Sequence, residues 1–115
     1  MRDMHLASLN VLRFVEDTTR EQFLENTEKQ YAVLHALQMI GEAVAHVSEG
    51  AKEQLRDIPW QDIRGMRNRL THEYFAVNLV IVWETAVRDI PPLIDLLQPH
   101  VDAPDEPLLG PPSEE

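Results

Sequence analysis

Apolar residues return at intervals of three and four along successive segments of this chain, the period of a helix with one buried face. Met4, Ala7, Val11 and Phe14 form such a stripe and predict a first helix over residues 3–17, with Asp3 as its N-cap. Thr19 with Gln22, and Thr27 with Gln30, have capping-box spacing, in which a hydroxyl and an amide satisfy each other's free backbone N–H groups. They predict a short helix over 20–25, a break near Asn26 and the start of a long helix. From 28 to 49, Val33, Leu37, Ile40, Val44 and Val47 line one face, with Ala32, Ala36, Met39 and Ala43 beside it. A helix that is apolar or small around most of its circumference belongs at the centre of a bundle. Gly50 is its expected stop. Pro59 and Asp62 mark the start of another helix that ends by residue 76 and turns Ile63, Met66, Leu70 and Tyr74 to the core. Asn78 caps a last helix bearing Leu79, Val82, Ala86, Ile90, Leu93 and Leu97, which Pro91 and Pro92 must kink or restart because neither nitrogen can donate. Trp60 and Trp83 read as core anchors.

The pattern stops after Gln98. Five prolines and five acids among the last seventeen residues, with few large apolar groups, describe an acidic, proline-rich disordered tail. The expected organisation is therefore one all-α domain over residues 1–98 and a tail over 99–115. A chain of 115 residues forms a helical core with little to spare, so burial against a partner is expected. Without cysteine there is no disulfide framework and no zinc–thiolate site. The longest apolar run, Phe75 to Trp83, is interrupted by Asn78 and is far shorter than the roughly 20 residues that cross a bilayer, so no membrane partner is expected.

The formal charge of −10 argues against a protein that coats nucleic acid nonspecifically, which needs an extended cationic surface. Residues 64 to 72 nevertheless hold Arg64, Arg67 and Arg69 and no acid, so one basic spot stands out. In that spot lies Arg67-Asn68-Arg69-Leu70-Thr71-His72-Glu73-Tyr74. Guanidinium grips phosphate oxygens with a planar fork, and imidazole titrates near neutrality, so the pair suffices for metal-free phosphoryl chemistry. An Arg-x4-His pair alone occurs by chance roughly 0.3 times in a chain of this composition, and adding a Tyr two places later lowers that to roughly 0.006. On a straight helix Arg67 and His72 are about 140° apart, since five residues turn through roughly 500°. Either the helix loosens before His72 or a second copy of the motif completes the site.

Cutting RNA through its 2′-hydroxyl gives a reason for the second copy. One group must remove the hydroxyl proton and another must protonate the departing 5′-oxygen, while a cation stabilises the phosphorane charge. Two symmetry-related His72 residues, each near an Arg67, would supply all three in one cleft. A symmetric homodimer with the cleft at its interface is the expectation.

The stretch Pro59-Trp60-Gln61-Asp62-Ile63-Arg64-Gly65-Met66-Arg67-Asn68-Arg69-Leu70-Thr71-His72-Glu73-Tyr74-Phe75 closely resembles the HepT-like branch of the HEPN superfamily, the ribonuclease toxins of prokaryotic toxin–antitoxin pairs. Ile40-Gly41-Glu42-Ala43, Val82-Trp83-Glu84 and Asp89-Ile90-Pro91-Pro92-Leu93 extend the resemblance to residues 3–98. It implies an antiparallel HEPN-like bundle of four to five helices, homodimeric and cytoplasmic. It also implies a cofactor-free, metal-independent endoribonuclease that leaves a 2′,3′-cyclic phosphate and a 5′-hydroxyl. Arg67 and His72 match the family's catalytic pair and Asn68 its polar residue after the arginine. Tyr74 matches the residue that a cognate minimal nucleotidyltransferase antitoxin adenylylates. Appended phosphates there would occupy the arginine site by charge and bulk.

Plainer roles compete for each residue. For an Arg-x4-His pair without context, helix-end capping and solvation are the commoner uses, and the wider match reverses that balance. Tyr74 fits a core-edge aromatic with a wet hydroxyl equally well. Arg64 and Arg69 are either auxiliary RNA contacts or solvated surface. His35, Gln38, Glu42 and His46 form a polar stripe on the central helix. Its spacing lacks the Glu-x-x-His of di-iron bundles, so interhelical hydrogen bonding is expected there rather than a metal. The alternative function is a non-catalytic helical partner of a minimal nucleotidyltransferase.

Overall fold

The computed structural model describes residues 1–72 and 78–101, and at positions 67 and 69–72 the backbone alone. Among these residues the structure is helical throughout, in the order α1 (Arg2–Val15), α2 (Arg20–Leu24), α3 (Thr27–Ala45), α4 (Glu49–Gln54), α5 (Trp60–His72), α6 (Leu79–Glu84), a π-helical turn (Thr85–Asp89), α7 (Ile90–Leu97) and a 3-10 turn (Gln98–His100). The expected all-α class is what the chain adopts. Residues 73–77 and 102–115, which include Tyr74 and most of the predicted tail, lie outside the described residues.

The bundle is assembled around α3, which packs against α1, α2, α5 and α6. The reason is the one visible in its sequence: Val33, Leu34, Ala36, Leu37, Ile40, Gly41 and Val44 are all buried, so apolar surface faces several neighbours at once. From α1, Met4, Ala7, Val11 and Val15 enter the same core, and from the last helix Val82, Ala86, Ile90, Leu93 and Leu97 do so. The buried Ser8 stays satisfied by donating to the Met4 carbonyl at 2.8 Å. On the far side Phe23 of α2 is fully excluded from solvent and lies against Trp83 of α6, ring centroids 5.4 Å apart.

Helix ends follow the capping chemistry in some places and depart from it in others. Thr19 and Gln22 form the full capping box, and Asn78 accepts from the Val80 N–H at 2.9 Å. Asp3 is not a cap: α1 begins one residue earlier, which leaves Asp3 in the first turn, where its charge complements the helix dipole. At the head of α3, Asn26 caps the Lys29 N–H, and Gln30 turns away to donate to the Phe23 carbonyl. The helix begins at Thr27 itself, and the Gln30 N–H that the box would use bonds instead to the Asn26 carbonyl at 3.0 Å, so the second predicted box does not form. Nor is Gly50 a stop. The central helix ends at Ala45, and Ser48 accepts from the Ala51 N–H to start α4, with Gly50 inside it. Trp60 packs half-buried against the core and also acts as a latch, its indole N–H shared between the Lys52 and Leu55 carbonyls at 3.2 and 3.0 Å. It ties the end of α4 to the start of α5.

The proline pair acts as anticipated, with a specific geometry. Pro91 and Pro92 sit in the first turn of α7, and the backbone just before them widens, the Ile90 N–H bonding to the Thr85 carbonyl five residues back. A proline ring collides with the carbonyl four residues earlier, and a π turn moves those carbonyls aside while the chain keeps its direction. Thr85 contributes by donating its hydroxyl to the Ile81 carbonyl at 2.8 Å. Helical geometry then persists to His100, where Gln98 meets the His5 ring at 3.0 Å and His100 approaches Asp57 at 3.7 Å. Because Phe23 joins α2 to the core through Trp83, Phe23→Ala is expected to cost about 3–5 kcal/mol of unfolding free energy, measured by urea denaturation.

Candidate functional site on the fifth helix

α5 is held on α3 by Ile63 and Met66, both buried, as the stripe predicted. The side-chain positions of Leu70 and Tyr74 lie outside the described residues. Fixing the core side also fixes what is left outward: Arg64 and Asn68 are exposed to solvent. Arg67, Arg69 and His72 lie on the same helix, and the backbone that carries them is regular α-helix from Trp60 to His72. The helix does not loosen before His72. Along such a helix the Arg67 and His72 positions stay about 140° apart around the axis.

Arg64 shares a cavity of about 400 Å³ with Lys52, Arg56 and Trp60 at the join of α4 and α5. Arg56 and Arg64 are exposed, and neither makes an ion pair with a described acid. The Lys52 ammonium lies 6.0 Å from the centre of the Trp60 ring and 3.5 Å from Glu49. Arg56 lines this cavity although its sequence context gave no sign of it, and Glu49, Glu53 and Asp62 line it as well, so the cavity is of mixed charge. Eleven positions separate it from Arg67, and the loop between α4 and α5 brings it alongside Arg64.

The polar stripe of the central helix is a different matter. His35, Glu42 and His46 are exposed and Gln38 is half-buried, and none of the four makes a hydrogen bond with a described side chain. Among the described side chains the expected interhelical hydrogen bonding is absent, because α3 turns His35, Glu42 and His46 to solvent and its apolar sides to its neighbours. Among the described residues no three histidine, aspartate or glutamate side chains are grouped to hold a metal ion. Also among them, no helix is long and apolar enough to cross a membrane.

An all-helical bundle whose fifth helix carries an arginine and a histidine five positions apart has the build of a HEPN domain. The family model described as "Ribonuclease HepT-like" matches residues 5–99. The chain belongs to the HepT-like ribonuclease family. Among its relatives, a protein of Methanocaldococcus jannaschii named as a "Putative RNase" is 39% identical over 82 residues, covering 71% of each chain. The "Probable ribonuclease HepT" of Thermococcus cleftensis is 37% identical over 86 residues, covering 71% of this chain and 78% of that one. A further protein named as a "Putative RNase", from Caldanaerobacter subterraneus, is 39% identical over 79 residues and 70% of its length. No solved structure matches the chain at a significant level.

Since the stripe on α3 is solvated surface, replacing His35, Glu42 and His46 one at a time by alanine is expected to change stability by no more than about 0.5 kcal/mol. Thermal melts with and without added zinc should coincide for the wild type. A metal-dependent rise in the melting temperature that these substitutions remove would contradict the assignment.

Proposed function

We propose that this chain is the ribonuclease toxin of a two-gene module, acting as a symmetric homodimer whose cleft brings two copies of the α5 motif around one phosphodiester. Family membership makes the chain an endoribonuclease with RNA as substrate. The observation that carries the dimeric mechanism is the uninterrupted α5: on one regular helix Arg67 and His72 occupy different faces, so a single copy does not assemble the pair. A second copy, turned about a twofold axis, supplies the missing partner groups.

In this mechanism a neutral His72 takes the proton of the substrate 2′-hydroxyl as its oxygen attacks phosphorus. The P–O2′ bond forms, the P–O5′ bond breaks, and the protonated His72 of the other copy delivers its proton to the leaving 5′-oxygen. The products are a 2′,3′-cyclic phosphate and a 5′-hydroxyl. Arg67 stabilises the charge that accumulates on the non-bridging oxygens in the transition state. Asn68 positions the phosphate, and Arg64 and Arg69 hold neighbouring phosphates, which suits a protein of net charge −10 whose RNA contacts must be local. Neutralisation follows when a cognate minimal nucleotidyltransferase antitoxin transfers AMP to Tyr74. The phenolic oxygen attacks the α-phosphorus of ATP, pyrophosphate leaves, and the appended phosphate occupies the arginine site.

The purified protein is expected to cleave RNA in the presence of EDTA. His72→Ala should lower the rate by about 10²- to 10⁴-fold, the usual worth of a general acid–base group, with the dimer intact by light scattering. Wild-type inactivity on diverse RNAs would point instead to a silent helical partner of the nucleotidyltransferase. Incubation with that enzyme and ATP should add at least one AMP unit to the wild type by intact-mass spectrometry and none to Tyr74→Phe. Equal additions to both would exclude Tyr74 as the sole acceptor.

A further inference from the structure

The motif helix and the last helix do not close on one another. Between them runs a groove of about 440 Å³, walled on the α5 side by Asp62, Gly65 and Met66 and on the other by Arg88, Asp89 and Pro92. That volume is in the range of sites that hold small organic ligands, roughly 300–1,000 Å³.

Three features of the walls point to a purpose. Gly65 lies inside a helix of 13 residues, and none of the described glycines has a positive φ, so the backbone does not require one. A glycine at that place weakens the helix relative to alanine, and what it supplies is an open wall where a side chain would intrude. Opposite, the π turn at Thr85–Asp89 carries Arg88 and Asp89 to the rim, and π turns recur at functional sites. Finally, the charged groups are two exposed carboxylates, Asp62 and Asp89, and one guanidinium, with the Gln61 amide beside them. Among the described residues Arg88 pairs with Glu84 alone, at 3.3 Å, and keeps 76% of its side chain exposed, a surface pair that a ligand phosphate can readily replace.

The groove is also in register with the chemistry. Gly65 and His72 are seven residues apart, two turns of helix, so their positions fall on the same face about 10.5 Å from each other. We propose that this groove seats a nucleoside beside the scissile phosphate and selects bases with an exocyclic amino group over uracil, an inference that rests on the ribonuclease reading above. Carboxylates accept hydrogen bonds from cytosine N4 or adenine N6, whereas uracil turns carbonyl oxygens toward them. Pro59 and Pro92, which also line the groove, offer apolar surface to the flat face of the base, and Arg88 holds the adjoining phosphate.

Titration of the full-length ¹⁵N-labelled protein with CMP, AMP and UMP tests this. The Gly65 and Met66 amides are expected to shift with CMP and AMP at about tenfold lower concentration than with UMP, the size of one discriminating hydrogen-bond pair. The double variant Asp62→Asn with Asp89→Asn should erase that preference, and Arg88→Ala should weaken all three monophosphates. Gly65→Leu, which favours the helix while filling the groove, should abolish binding without loss of helical circular dichroism. Absence of shifts at these amides, or shifts that no variant alters, would overturn the proposal. Sequencing the ends cut from a random RNA pool separates the two readings. A protein that binds CMP in this groove yet cuts nothing refutes the ribonuclease mechanism alone. A protein that cuts RNA with a base profile identical in the wild type and the double carboxylate variant refutes the groove alone.

Discussion

Burial around α3 is the constraint on which the rest of this molecule depends. Val33, Leu37 and Ile40 are fully excluded from solvent, and the helices that exclude it are α1, α2, α5 and α6. Among the described side chains, α5 is held by the buried Ile63 and Met66 on its core side and by the Trp60 latch to α4, and once these are seated the rotation of the motif helix is set. Arg64 and Asn68 then face water because the core side is already taken. The candidate site is thus positioned by contacts that take no part in its proposed chemistry.

Electrostatics sets the second limit. With 20 acids against 10 bases, the protein as a whole repels a polyanion, so recognition has to come from a few well-placed cations. The fold gathers them: Arg56 from the loop after α4 joins Arg64 on α5, and Arg88 stands across the groove on the last helix. Local attraction against a repulsive background favours substrates that engage these points in register over those that merely lie along the surface. The dimeric cleft and the neighbouring groove proposed above both call for such selective engagement.

The last helix shows how a defect in a helical sequence becomes a shaped feature. Two adjacent prolines remove two donors and crowd the carbonyls behind them, and the chain responds by widening into a π turn rather than breaking. Apolar residues on both sides, from Val82 and Ala86 to Ile90, Leu93 and Leu97, keep the rod pressed against the core through the irregularity. The turn therefore alters the outer side of the helix, where Arg88 and Asp89 lie, and leaves the inner side in place.

By itself the sequence determined the helical class, the buried stripes of α1, α3 and the last helix, the buried Ile63 and Met66 of α5, the Thr19 and Asn78 caps, and the candidates for phosphoryl chemistry. These are properties of spacing and of side-chain type, which act within a few residues of themselves. Tertiary structure decided the rest. It ended the central helix at Ala45 because Ser48 was better placed to begin a new one, and it gave the cap of α3 to Asn26 over Thr27. It turned His35, Glu42 and His46 to solvent, brought Arg56 beside Arg64, and opened a groove at Gly65. Periodicity says that a helix has a face to bury but not which neighbour will cover it, because that choice is made by the volumes of residues far apart in the chain competing for one core.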